Sequence, residues 1–360
     1  MTTHRVIFAG AISLALAFTI AAPPRVVRAA AEPLPERLTD EAFWKLSQDL
    51  SEPDGSFRSD NLLSNEIWFQ YTLSELVTKA GQGGVYVGVG PEQNFTYIAS
   101  LRPKMVFITD IRRGNLWTHL MYKALFELSK DRAEFVSRLF TKPRPPGLTE
   151  ASTAQQIFGA YETVETSAED VYKKNAQDII DLLTKTHKIP LSDSDRAGII
   201  DAVYYNFYWF GPRITYNSST GGSGRGNMAT YHDLMTTTDD LGAQRSFLAS
   251  EESFRFLKGL EERNLVVPVV GNFAGPKALR AVGQYIRDHE STVTAFYLSN
   301  VEQYLSQEGL WRTFCGNVAT MPLTERSTFI RSSQNRGGGG GGLVNQLGGM
   351  QAETKSCAGF

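Results

Sequence analysis

The stretch from Val85 to Asp110 limits what this chain can fold into more than any other. Val85-Tyr86-Val87-Gly88-Val89 is a short apolar run of the kind buried on both faces of a parallel sheet. Gly90-Pro91-Glu92 turns the chain, and Gln93 to Leu101 reads as a short helix. Met105-Val106-Phe107-Ile108-Thr109 is a second buried strand, closed by Asp110. Strand, glycine turn, helix, strand and acidic end together predict the α/β class: a Rossmann-like, mostly parallel sheet with flanking helices and, further on, a large helical insertion.

This unit carries a chemistry as well as a shape. Glycines such as Gly88 and Gly90 let a cofactor approach the backbone, and the helix that follows offers free N–H groups at its start. An acid about twenty residues on accepts hydrogen bonds from ribose hydroxyls. Asp110 lies 22 residues after Gly88. The competing reading is structural: the glycines make a tight turn and Asp110 caps the next segment.

The rest of the chain falls into blocks. Residues 1–31 form a leader, and residues 32–84 hold two helices, over Leu38 to Leu50 and Asn61 to Lys79. Residues 85–140 are the first half of the Rossmann-like domain. The breaker Thr141-Lys142-Pro143-Arg144-Pro145-Pro146-Gly147 opens a mostly helical insertion, residues 141–262. The α/β pattern returns over residues 263–331, with strands at Leu265 to Val270 and Thr292 to Leu298 and a last one at Thr328 to Ile330. Residues 332–360, with six consecutive glycines, read as a low-complexity, disordered tail.

The leader has Arg5, an uncharged apolar run from Val6 to Ala22, and a small-residue end, Ala29-Ala30-Ala31. This describes a signal peptide cut near Ala31 and a periplasmic or extracellular protein. An uncleaved anchor in the inner membrane is the alternative, and through it the only membrane contact. A formal charge of −2 gives no electrostatic grip on nucleic acid. Cys315 and Cys357 leave pairing open, the five scattered histidines predict no metal site, and the oligomeric state is not readable.

The segment Val85-Tyr86-Val87-Gly88-Val89-Gly90-Pro91-Glu92, with Asp110, resembles the first motif and ribose-binding acid of class I S-adenosylmethionine-dependent methyltransferases. The whole chain, through "RSDNLLSNE", "VGVGPEQNFTYIA" and "AFYLSNVEQYL", also resembles an uncharacterised bacterial family carrying this fold. The resemblance implies S-adenosylmethionine as a small-molecule cofactor, held by Gly88, Gly90, Glu92, Gln93 and Asp110. Two positions depart from it: Tyr86 stands where methyltransferases usually carry an acid, and Glu92 where they have a third glycine. A dinucleotide fingerprint would want glycine at Gln93. Glu92 places negative charge where phosphates would lie, which favours a ligand with a cationic amino-acid moiety over a pyrophosphate.

A second loop, Gly271-Asn272-Phe273-Ala274-Gly275-Pro276, is expected to follow the strand across the switch point, so that Asn272 and Phe273 face the reactive end of the cofactor. His232-Asp233 and Glu261-Glu262 read as surface rather than catalytic pairs, and Tyr204 to Trp209 as core. Two expectations of different class follow. One is a methyltransferase-like enzyme with its substrate under residues 141–262. The other is an exported binding or structural protein that keeps the fold without the cofactor.

Overall fold

The computed structural model describes residues 32–57, 59–217, 228–334 and 343–357. Helices α1 (Asp40–Leu50) and α2 (Leu73–Ala80) lead into strand β1 (Val85–Gly88). Helix α3 (Gln93–Leu101), strand β2 (Met105–Asp110) and helices α4 (Arg113–Leu128) and α5 (Arg132–Phe140) follow. Helices α6 (Ala154–Glu162), α7 (Glu169–Asp181), α8 (Asp193–Ala197), α9 (Tyr205–Phe210), α10 (Tyr231–Thr236) and α11 (Glu251–Glu262) separate this half from strand β3 (Val266–Val270). The second half adds α12 (Ala278–Asp288), β4 (Val293–Ser299), α13 (Val301–Gln307), α14 (Trp311–Ala319), β5 (Thr328–Gln334), β6 (Leu343–Gly349) and α15 (Met350–Thr354).

The six strands form one sheet in the order β3-β2-β1-β4-β5-β6. The first five are parallel, and β6 runs antiparallel to β5. The fold is thus a Rossmann-like α/β sheet with helices on its faces. Val85, Val87, Phe107, Ile108, Val267 and Phe296 are fully buried, as strands covered on both faces require. Chain order reverses between β1 and β4, so the switch point lies there, with β2 and β3 together on the other flank.

Two expectations are corrected. The helix expected from Asn61 begins only at Leu73, after a 3₁₀ turn over Phe69–Thr72. Ser64 and Glu66 are held instead by side chains of α3 and β4, and those tertiary bonds override local helical preference. The tail expected to be disordered is ordered over residues 343–357. Strand β6 pairs with β5 from Leu343 opposite Gln334 to Gly349 opposite Thr328. Met350 is fully buried, and a disulfide joins Cys357 to Cys315 on α14. Glycine content hid a strand whose register is set by pairing. The six glycines themselves, residues 337–342, lie outside the described residues, as does the leader.

A partly buried charge network ties α1 and α4 to the segment after α7. Both ring nitrogens of His187 face carboxylates, Nδ1 at 2.7 Å from Asp40 and Nε2 at 2.8 Å from Glu127. A neutral imidazole donates from one nitrogen only, so both bonds together call for the charged ring. The Glu127 hydrogen bond, backed by Asp40 against the cost of burial, raises the His187 pKa above its ordinary value. Its contribution to stability is therefore fully present below pH about 6.5 and is lost as pH rises through the raised value. The buried acids Glu261 and Glu92, each pushed up to about 8 by burial, slope the same way. The difference in unfolding free energy between wild type and His187→Gln isolates the histidine. That difference should shrink between neutral and alkaline pH, and a constant difference would rule the charged ring out.

Candidate functional site

A cavity of about 500 Å³ opens at the carboxyl ends of β1, β2, β3 and β4, within the size range of small-molecule sites. Val89, Gly90 and Pro91 enter it after β1, Asp110 to Arg112 after β2, Gly271 to Phe273 after β3, and Ser299 to Val301 after β4. A strap, described over residues 51–57 and 59–66, crosses these ends and supplies a further part of the wall, with Tyr216 and Asn217 of the insertion and Tyr304, Leu305 and Glu308 completing it. Its bonds run from Glu52 N–H to the Val270 carbonyl (2.7 Å), through Gly55 N–H to the Ile111 carbonyl (2.9 Å), to Ser64 N–H on the Glu92 carboxyl (3.1 Å).

The glycine turn is held from behind. Asn94 Nδ2 donates to the carbonyls of Val89, Gly90 and Pro91 at 2.9, 3.1 and 2.7 Å, and His119 Nε2 donates to Gly90 O at 2.9 Å. A carbonyl only accepts, so His119 carries its proton on Nε2. Burial, countered only in part by that bond, takes its pKa down to about 4 and keeps the ring neutral. Gly88 does not line the cavity; a Cβ there would collide with the Asn94 side chain. Gly90 does line it. Its φ of +75° suits glycine, and a Cβ would meet nothing within 4 Å, so the chain leaves open space on the ligand side.

Glu92 and Gln93, expected to touch a cofactor, are buried behind the turn. Burial, opposed by the Ser64 N–H, pushes the Glu92 carboxyl up to about 8, so it is largely neutral near pH 7. Gln93 accepts from Ser64 Oγ and donates to Glu66 Oε2 (2.8 Å) and Tyr97 OH (2.7 Å). In a helix covered on all sides by α2, α11 and the strap, these first-turn side chains point into protein.

Asp110 lines the cavity, yet it is neither exposed nor free: it caps the segment that follows it, as the structural reading expected. Its Oδ1 accepts from Arg112 N–H (2.9 Å) and Nε (3.2 Å), and its Oδ2 from Arg112 Nη2 (3.3 Å). Arg112 Nη1 reaches on to the carbonyls of Ser59 (3.1 Å) and Asp60, pinning the strap. A carboxylate offers about four acceptor positions, so one on Oδ2 is left for a ligand. Asp110→Ala should therefore cost about 3 kcal/mol of stability by stranding a largely buried guanidinium. An unchanged denaturant midpoint would show that the two carbonyls alone hold Arg112.

Asn272 and Phe273 also line the cavity, but not from across the switch point. The strand before them, β3, pairs with β2, so they stand on the Asp110 side. Strand order is set by pairing between distant segments, which the run Leu265 to Val270 does not encode. Asn272 Oδ1 caps Ala274 N–H (2.9 Å). The free N–H groups ahead of α12 are taken by the strap: Glu52 Oε1 accepts from Lys277 (2.7 Å) and Ala278 (2.9 Å), and Oε2 from Asn272 (3.0 Å).

The strand across the switch is β4. It ends at Ser299, a non-glycine residue with φ of +50° and therefore strained. Ser299 Oγ and Tyr297 OH both donate to Glu66 Oε1, at 2.6 and 2.8 Å. Glu66, Ser299 and Arg112 are the site residues that sequence reasoning missed. The only available signal was the polar run Ser64-Asn65-Glu66 just before an aromatic-rich segment.

A family model described as a domain of unknown function, DUF7790, matches residues 62–345. The chain belongs to the DUF7790 family. No curated protein matches it. The DUF7790 span holds the whole glycine turn, Asp110, Arg112, Asn272 and Ser299, and leaves Glu52 outside. It opens just before Glu66 and closes on Asn345, two residues that meet in space. Among the described residues of this DUF7790 protein, no three His, Cys, Asp or Glu side chains are placed to hold a metal ion, and no helix is long and apolar enough to cross a membrane.

Proposed function

We propose that the cavity binds an adenosyl cofactor of the S-adenosylmethionine type and that the protein is a methyltransferase-like enzyme. The observation that carries the reading is the convergence of Gly90, with its open φ-positive backbone, and Asp110, with an acceptor position to spare, on one cavity at the switch point. The strand order, with an antiparallel strand beside β5, suits the same reading. So does charge: Glu66, Asp110 and Glu308 line the cavity against Arg112 among the described residues, which favours a cationic ligand over a pyrophosphate. Such a cofactor supplies an electrophilic methyl on a sulfonium sulfur, whose carbon–sulfur bond breaks as the acceptor bonds the methyl. The chain would hold the ribose at Asp110 and the apolar ring at Phe273, and would keep the acceptor end beside Ser299, Asn300 and Tyr216 of the insertion. Methyl transfer needs chiefly in-line positioning, so no acid–base pair is required of these residues.

The disulfide between Cys315 and Cys357 favours a second reading, because such bonds persist in oxidising compartments. In that reading the leader is cut near Ala31 and the exported protein keeps the fold as a binding or structural module. Calorimetric titration with S-adenosylmethionine and S-adenosylhomocysteine separates the two, alongside the native mass of protein from its host. The enzyme reading expects binding that Asp110→Ala weakens by about 1.5–3 kcal/mol, the scale of hydrogen bonds to a charged group. No binding, with a native mass equal to the chain from Glu32 alone, would leave the exported module.

A further inference from the structure

Glu66 is fully buried, yet it bonds to residues of three separate elements. Oε1 accepts from Tyr297 and Ser299 at the end of β4, and Oε2 from Gln93 of α3 (2.8 Å) and from Asn345 Nδ2 of β6 (3.1 Å). Four donors fill the acceptor capacity of a carboxylate, so none is left for a ligand. Asn345 Nδ2 also donates to Tyr97 OH (2.8 Å), which closes the network against α3. Strands β4 and β6 are not neighbours, since β5 lies between them. Their one polar link described here runs over the sheet through Glu66.

We infer that Glu66 is a positioning residue that makes the C-terminal strand part of the cavity, holding Ser299 in its left-handed conformation only while Asn345 is docked. Asn345 stays docked because β6 is secured at its far side by the Cys315–Cys357 disulfide. The C-terminal segment then acts on the cavity from a distance, with none of its described side chains in the wall. Only the affinity readout below rests on the adenosyl-cofactor reading.

The test uses the full oxidised chain and measures amide hydrogen exchange together with the Kd for S-adenosylhomocysteine. Asn345→Ala and Glu66→Ala should both speed exchange at Tyr297 and Ser299 as well as along Leu343–Leu347, by roughly tenfold beyond a global control. The control is Val318→Ala on α14, a buried core residue outside the network. Glu66→Gln should behave like wild type, because the two hydroxyls can turn to accept from its amide while its oxygen keeps Gln93 and Asn345. Affinity should fall by about tenfold, or 1.4 kcal/mol, in the two alanine variants and not in the glutamine one. If Glu66→Ala does not fold, Asn345→Ala carries the test alone. If the exchange pattern appears but wild type binds no adenosyl ligand, the cofactor reading fails and the positioning role stands. If exchange at Tyr297 and Ser299 in Asn345→Ala matches Val318→Ala, the inference is overturned, whatever binds.

Discussion

Removing residues 343–360 is expected to lower the melting temperature by on the order of 10 °C. The disulfide between Cys315 and Cys357 spans 42 residues, and closing a loop of that size in the unfolded chain is worth about 4 kcal/mol. At roughly 2 °C per kcal/mol for a body of this size, that alone accounts for most of the shift. The truncation also strips the seven-residue ladder from β5 and uncovers a flat edge carrying the buried Phe329 and Ile330, so it should aggregate on heating. Cys357→Ala should reproduce most of the thermal loss without the aggregation. Melting by circular dichroism at two concentrations separates the effects. A truncated chain that melts with wild type would show β6 to be an accessory strand.

Arg132→Ala should cost about 3–5 kcal/mol, the range for stranding the partner of a buried ion pair. Arg132 opens α5 and is 2% exposed. Its Nε donates to Glu251 Oε2 (2.9 Å), Nη1 to Leu248 O (2.7 Å), and Nη2 to Glu150 O and Ser152 O (both 2.8 Å). One guanidinium thus fastens both ends of the helical insertion to the α/β body, where it leaves α5 and where it returns as α11. Lysine cannot span that fork, so Arg132→Lys should recover little. Urea unfolding reads the loss. If Arg132→Lys restored wild-type stability, charge alone would be at work and the four directed bonds would not.

What the sequence made legible follows from how local each feature is. Strands β1 and β2 and helix α3 are visible because two-sided burial leaves an unbroken apolar run and the glycine turn marks its end. Helix α1 is legible as well, and Thr39 caps it by accepting from Ala42 N–H. Gly90, Asp110, Asn272 and Phe273 do reach one cavity, since strand ends in a parallel sheet share an edge. Gly88, Glu92 and Gln93 stay out of the cavity wall, because a motif gives spacing but not the side on which each side chain falls. The hold of Arg112 on the strap and the roles of Glu52, Glu66 and Ser299 were out of reach for a different reason. Each depends on a contact made across 53 to 233 residues of chain, and no local pattern records that meeting. Glycine content also hid β6, expected to be disordered, where Gly348 and Gly349 pair within a ladder.

The carboxylate of Glu52, seated on the N–H groups of Asn272, Lys277 and Ala278, has a consequence for what else the protein can hold. Those amides are where an open α/β sheet would take a phosphate. Here the anion is part of the chain, joined to the cradle by the strap itself. A tethered group competes at an effective concentration that free ligands in the millimolar range struggle to match. Any external phosphate or carboxylate must therefore displace a rival that never diffuses away, and displacing it also frees the strap over the cavity. The fold has in this way closed one of its binding modes to soluble competitors and tied its reopening to a movement of the cavity wall.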